Sequence, residues 1–148
     1  MPINSPDIPL PEKKKVAEKY TTNTITVALI NDQNGTLDIS SDSQTIFGSE
    51  VGYTTYARVT LAAADITLTE DTVAGTVTVA YPTAVFGFGG LDANANEVAT
   101  FTHICFIYDN NGTDEVFYIA PVGIINRVQG NNSFEYNLTI ARRPVDIA

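Results

Sequence analysis

The sequence holds one cysteine and one histidine. A single Cys excludes an internal disulfide and a Cys-based zinc site, and a single His excludes a histidine-rich metal site. Cations are scarce too, with eight Lys and Arg against seventeen Asp and Glu and a net charge of −9. The imbalance lies in the body of the chain. Residues 1–20 carry four Lys against three acids, +1, and the other 128 residues carry four Arg against fourteen acids, −10. Affinity for phosphates comes from Lys and Arg, so no nucleic-acid partner is expected, and the acid reads as a source of solubility. No apolar run reaches the roughly 18 residues of a membrane span, so no membrane partner is expected either. The start of the chain has no apolar core of a signal peptide, which implies synthesis in the cytoplasm without export by that route.

What the chain does have suits strands. Thr and Val are abundant, and Tyr and Phe supply seven residues each. At 148 residues it is expected to form one domain, which at that size buries about 70% of its unfolded surface. The focus is Thr100–Pro121, read as a β-hairpin. Phe101 to Tyr108 and Glu115 to Ala120 are its strands, and 109–114 is a six-residue loop of Asp, Asn, Gly and Thr. The first strand has no polar face. Strict alternation puts Phe101, Cys105 and Ile107 on one side and Ile104, Phe106 and Tyr108 on the other, so the strand should be buried on both.

Further strands are expected at 24–30, 54–62, 65–70, 76–81 and 84–88, a weak one at 122–128, and one at 134–140. Residues 36–52 read as a long polar loop with one short strand, pinned by Ile46 and Phe47. Residues 1–20 stand apart, because Pro2, Pro6, Pro9 and Pro11 exclude a central strand or a helix interior. They are expected to form an extended, partly polyproline-like arm, with a weak helical pattern over 12–20. The expected fold is all-β: a single antiparallel β-sandwich of jelly-roll type over 21–148, with an N-terminal arm over 1–20.

The search for chemistry assigns no catalytic, cofactor-binding or metal-ligating residue. His103 and Cys105 share a strand face, yet they lie mid-strand among apolar residues and read as a hydrogen-bonded His and a packed Cys. Two loops are rich in oxygen ligands, one with Asp32, Asn34, Asp38 and Asp42, the other with Asp109, Asn111, Asp114 and Glu115. Neither has the EF-hand spacing, and Asx-turns account for both. Gly87-Phe88-Gly89-Gly90 lacks the Lys-Ser/Thr of a phosphate loop.

The order of pieces resembles small virion proteins of tailed bacteriophages. The pieces are Ile25-Thr26-Val27-Ala28-Leu29-Ile30, a polar loop ending Ser49-Glu50-Val51-Gly52-Tyr53-Thr54, then Tyr56-Ala57-Arg58-Val59, a strand ending Tyr81-Pro82, and Phe101 to Gly112. The resemblance covers about 24–120 and rests on order and spacing. It implies a non-enzymatic head decoration (cement) protein, with the major capsid protein and neighbouring copies of itself as partners, as a homo-oligomer, a trimer being the expectation. The virion is the implied location. A tail or host-recognition component that binds a receptor or glycan, through Tyr residues around 52–56 and the loop 87–97, is the alternative. A carbohydrate-active enzyme or other cellular β-sandwich domain is the rival of another class. For the cement role the expected contact residues are Ile3, Ile8 and Leu10 of the arm, and Lys13, Lys14 and Lys15, which would meet an acidic neighbour. Ile46, Phe47, Phe86 and Phe88 join them as aromatic and apolar groups in turn-rich regions, with ordinary core packing as their other reading.

Overall fold

The computed structural model describes residues 9–38, 40–130 and 133–142. It begins with a helix, α1, Leu10–Thr22. Pro9 is its N-cap and Pro11 lies in its first turn, where a missing N–H costs no intrahelical bond. Glu, Lys and Ala follow, all good helix formers, with Glu12 in the first turn and Lys19 in the last, as the helix dipole favours. The extended arm expected over 1–20 is therefore corrected for 10–20. Its prolines sit where a helix can start, and the weak helical pattern beyond them is the one realised. Of the expected arm contacts, Ile3 and Ile8 lie outside the described residues.

The strands follow in order: β1 Ile25–Ile30, β2 Val59–Leu61, β3 Thr67–Asp71, β4 Thr76–Ala80, β5 Ala84–Phe86, β6 Ala99–Asn110, β7 Thr113–Arg127, β8 Phe134–Tyr136 and β9 Thr139–Arg142. A short helix, α2, Ser43–Phe47, takes the place of the strand expected within 36–52, and Asp42 caps it by accepting a hydrogen bond from Thr45 N at 2.8 Å. All pairings are antiparallel. They form a four-stranded sheet, β2-β1-β6-β7, a three-stranded sheet, β3-β4-β9, and the pair β5-β8.

The hairpin lies where the residues placed it, with a tighter turn. Asn111 and Gly112 alone make the bend, at φ 53° and 91°, and the strands run on to Asn110 and from Thr113. Two successive positive φ values suit the twist of a hairpin, and Asn-Gly tolerates them. Asp109 Oδ1 accepts from Gly112 N at 2.7 Å and closes the turn. The weak strand at 122–128 is the far half of β7. The expected strand 134–140 is divided between two sheets, β8 and β9.

β6 is central and buried on both sides. Phe101, Ile104, Phe106 and Tyr108 join a large core with Ile25, Val27 and Leu29 of β1, Val77 and Val79 of β4, and Phe86 of β5. Cys105 and Ile107 join a smaller one with Ala28, Ile30 and Ile46. Phe101 thus sits on the side opposite to that expected from strict alternation. The register against β7 shifts between Phe101 and His103, where the period-2 count of β6 is reset, and again between Phe106 and Ile107, where the extra residue is Phe117 of β7 and the alternation of β6 runs on. Each fully buried Phe contributes about 1.5–3 kcal/mol.

Candidate functional site

Glu50, Tyr56 and Arg58 meet in space. After α2 the chain returns to the end of β1. Asn31 N donates to Ser49 O at 2.8 Å and Val51 N to Leu29 O at 3.1 Å. This fixes Glu50 beside the strand. Arg58, just before β2, clamps that carboxylate with two parallel bonds, Nε to Oε2 at 2.9 Å and a terminal nitrogen to Oε1 at 2.8 Å. Tyr56 Oη donates to Oε2 at 2.5 Å and accepts from Leu29 N at 3.3 Å. The other arm of Arg58 reaches Asp114 at the hairpin tip, at 3.0 Å, and its guanidinium lies 4.6 Å from the centre of the Phe47 ring. One bidentate pair therefore ties together loop, β2, hairpin and α2. Burial pushes the Glu50 carboxyl up, but the Arg58 and Tyr56 bonds outweigh it and hold the group below its ordinary value. Burial and the Glu50 contact push the Tyr56 hydroxyl up.

A second carboxylate organises the facing loop. Glu97 Oε2 accepts from Thr54 N and Oγ1 at 3.0 and 3.1 Å, and Oε1 accepts from Asp92 N at 2.8 Å. These bonds hold Glu97 below its ordinary pKa. Between the two loops is an open polar cleft of about 610 Å³, lined among others by Asn31, Gln33, Glu50, Tyr53, Glu97 and Thr100. Both carboxylates stay ionised at neutral pH and are occupied by donors of their own chain. That suits holding the cleft's walls and not delivering a proton. Tyr53 is buried and Tyr56 half-buried, so neither is an exposed platform of the kind expected for a receptor- or glycan-binding loop. Loop 87–97 is held close: a methyl group on Gly90 would overlap the Thr55 side chain.

The oxygen-rich loops do the work of turns. Asp32 accepts from the backbone of Thr36 and Leu37, and Asp38 from that of Ser40. Glu115 accepts from Tyr108 Oη at 2.6 Å. No cluster of three or more His, Cys, Asp or Glu that could hold a metal occurs among the described residues. Cys105 is fully buried, and burial pushes its thiol up to about 12, which leaves no thiolate for nucleophilic work near neutral pH. His103 Nδ1 lies 2.8 Å from Thr102 Oγ1. No helix among the described residues is long and apolar enough to cross a membrane.

The expected contact residues are dispersed. Phe86 and Phe88 are 2% and 1% exposed in the large core and Ile46 is in the smaller one, so core packing is the reading realised for all three. Turn-rich sequence around them had suggested surface, but short strands and tight loops dip into a core just as readily. Phe47 is half-buried beneath Arg58 and Leu10 is half-buried against the large core. Lys13 is buried, with Nζ donating to Gly75 O at 2.7 Å. Lys14 pairs with Glu70 on β3 at 3.0 Å and Lys15 with Glu12 on α1 at 2.9 Å. Both lysines meet acids of their own chain, Lys14 because α1 folds back over β3 and β4, and Lys15 one turn away on α1 itself.

The exposed apolar side chains lie elsewhere. Val16, Val73 and Val85 are 43%, 84% and 47% exposed, Ile119 and Ile124 on β7 are 38% and 64% exposed, and Val98 and Val128, beside the β6–β7 pair Ala99–Arg127, are 48% and 46% exposed. Sequence reasoning passed over this edge. Val116 to Asn126 is free of charge, but so is the longer run Thr72 to Leu91, much of which is core, so the sequence carries no signal that singles out this edge. No protein-family model, curated protein or solved structure matches this chain.

Proposed function

We propose that the chain is a non-enzymatic structural protein of a tailed-bacteriophage virion, a capsid decoration or cement protein that binds the shell and neighbouring copies of itself. The observation that carries this reading is the exposed apolar side of β7. A sheet edge that is long, uncharged and apolar is normally covered by a partner. Two lines add support. Glu50, Tyr56 and Arg58, three residues of the pieces on which the resemblance rests, are joined by hydrogen bonds. The four-stranded sheet, the three-stranded sheet and β5-β8 share one core, which favours the β-sandwich of jelly-roll type that such a protein would use. Ile3 and Ile8, ahead of α1, are proposed contacts to a neighbour, and a homo-oligomer is the proposed state on the shell.

The cleft of about 610 Å³ favours a second reading, a tail or host-recognition component with a polar ligand between loops 49–54 and 97–100. Immunogold electron microscopy of virus particles from the source of this chain, with antibody raised to it, separates the two. Label over the head supports the decoration role and label confined to the tail supports recognition. Particles without label would overturn both.

A further inference from the structure

We infer that two copies of this chain pair across a twofold axis through their β7 strands, which run antiparallel to one another. The inference rests on the assembly reading above and deepens it by naming one contact.

β7 is the last strand of its sheet. Among the described residues one side of it pairs with β6 and the other pairs with no strand. It is fifteen residues long, and long edges are normally blunted with charge. Here the charge is confined to the ends. Asp114 and Glu115 stand at the start, Arg127 at the finish, and no Asp, Glu, Lys, Arg or His lies between them. Arg127 has no carboxylate within ion-pair distance among the described residues. Its guanidinium donates to the neighbouring Asn126 O at 3.3 Å, and its buried Nε has no hydrogen-bond partner.

The charge order selects the geometry. A parallel β7 pair would set Arg127 against Arg127 and acid against acid. An antiparallel pair sets Arg127 of each copy near Glu115 of the other. The exposed isoleucines select the same register. An axis between Pro121 and Val122 puts Ile119 opposite the partner's Ile124, and Arg127 opposite the partner's Val116, one position from the partner's Glu115. Pro121, next to the axis, has no N–H to give a ladder, so side chains and not a continuous main-chain sheet make the contact. A twofold contact of this kind uses the same surface on both copies and closes on itself. It also brings copies of an acidic chain together along the strand stretch that has no acid.

Charge exchange tests it. Glu115 and Arg127 are twelve positions apart on one strand, roughly 40 Å at strand rise, so they cannot meet within one chain. Sedimentation equilibrium of the full chain at low ionic strength should give a dimer. Arg127→Glu and Glu115→Arg should each weaken association about tenfold, as like charges then face each other. The double variant should bring it back to near the native value, which no effect on folding of the single chain would do. Ile124→Asp, at an exposed position, should weaken association with an unchanged melting temperature. A native chain that is monomeric or trimeric at submillimolar concentration, or a double variant no better than its parents, overturns the inference. Failure here leaves the particle labelling untouched, and unlabelled particles leave the dimer untouched.

Discussion

Replacing Glu50 by Gln should destabilise this protein more than any change at the other acid that Arg58 contacts. The carboxylate receives two bonds from Arg58 and one from Tyr56, with the Glu50 and Arg58 side chains only 16% and 26% exposed. Removing one partner of a fully buried pair costs about 3–5 kcal/mol. Arg58 keeps Asp114 and some water, and the amide keeps one acceptor, so the loss should be about 2–3 kcal/mol. For a chain of this size that lowers the melting temperature by roughly 5–10 °C. Asp114→Asn breaks the pair whose acid is 53% exposed, and should cost less than about 1 kcal/mol. The assay is urea unfolding at neutral pH, with the double variant Glu50→Gln/Arg58→Leu to extract the coupling. The pH dependence supplies a second check. The folded-state pKa of Glu50 lies below its ordinary value, so its stabilisation is fully present above the ordinary carboxylate range. It is lost as pH falls through the folded-state value, and native and Glu50→Gln stabilities should converge in acid. A smaller loss for Glu50→Gln than for Asp114→Asn, or a difference that persists at the acid end, would refute the view that this pair holds the loop to the sheet.

Phe88→Ala should cost about 3–5 kcal/mol of folding stability, because the ring is buried against Tyr53 and Phe101; weakened assembly with an unchanged melting temperature would restore the interface role first expected of it. Gly90→Ala should destabilise by about 1–3 kcal/mol through overlap with Thr55. Thr55 itself holds φ 67°, so Thr55→Gly should remove both the strain and the overlap and rescue Gly90→Ala in thermal melts; failure of the rescue would contradict this account of the close approach. Cys105 should react with a thiol reagent at pH 8 only as fast as the protein opens, since the thiol is buried and raised to about 12. Labelling of the native chain at the rate seen in urea would contradict that burial.

Much of the fold is legible in the residues. β1, β4 and the β6–β7 hairpin are runs of β-branched and aromatic residues bounded by Asn, Asp and Gly, and such runs need no distant partner to be recognised. β6 could be placed at the centre from its lack of a polar face. Other features depend on distant contacts. Phe101 changes sides because β6 and β7 slip past each other at Phe101/His103, and no local count of alternation reveals a slip. Residues 9–22 contain two of the prolines read as an extended arm, Pro9 and Pro11, and the Lys, Glu and Ala of a helix. Docking decides between them, with Lys13 reaching Gly75 and Tyr20 stacked on Phe117 at 4.5 Å. The candidate site divides the same way. Ser49 to Val59 stood out as a motif, but its meaning, a carboxylate clamped by Arg58 and Tyr56, needed the loop folded onto β1. The aromatics picked as contacts were buried, and the exposed isoleucines lay in a stretch read as a weak strand.

By itself, then, the sequence determined strand composition, a turn within 109–114, an acidic body and the scarcity of Cys and His, because each of these follows from residue type and near neighbours. Tertiary structure alone decided which apolar groups are covered. An apolar run is equally apolar in a core and at an edge, and only the chain packed against it sets its exposure. Val77 and Val79 lie in the centre of a three-stranded sheet, with β9 on one side and β3 on the other, whereas Ile119 and Ile124 lie on a strand with one neighbour strand among the described residues. β-Branched aliphatic residues are core in one place and a candidate interface in the other.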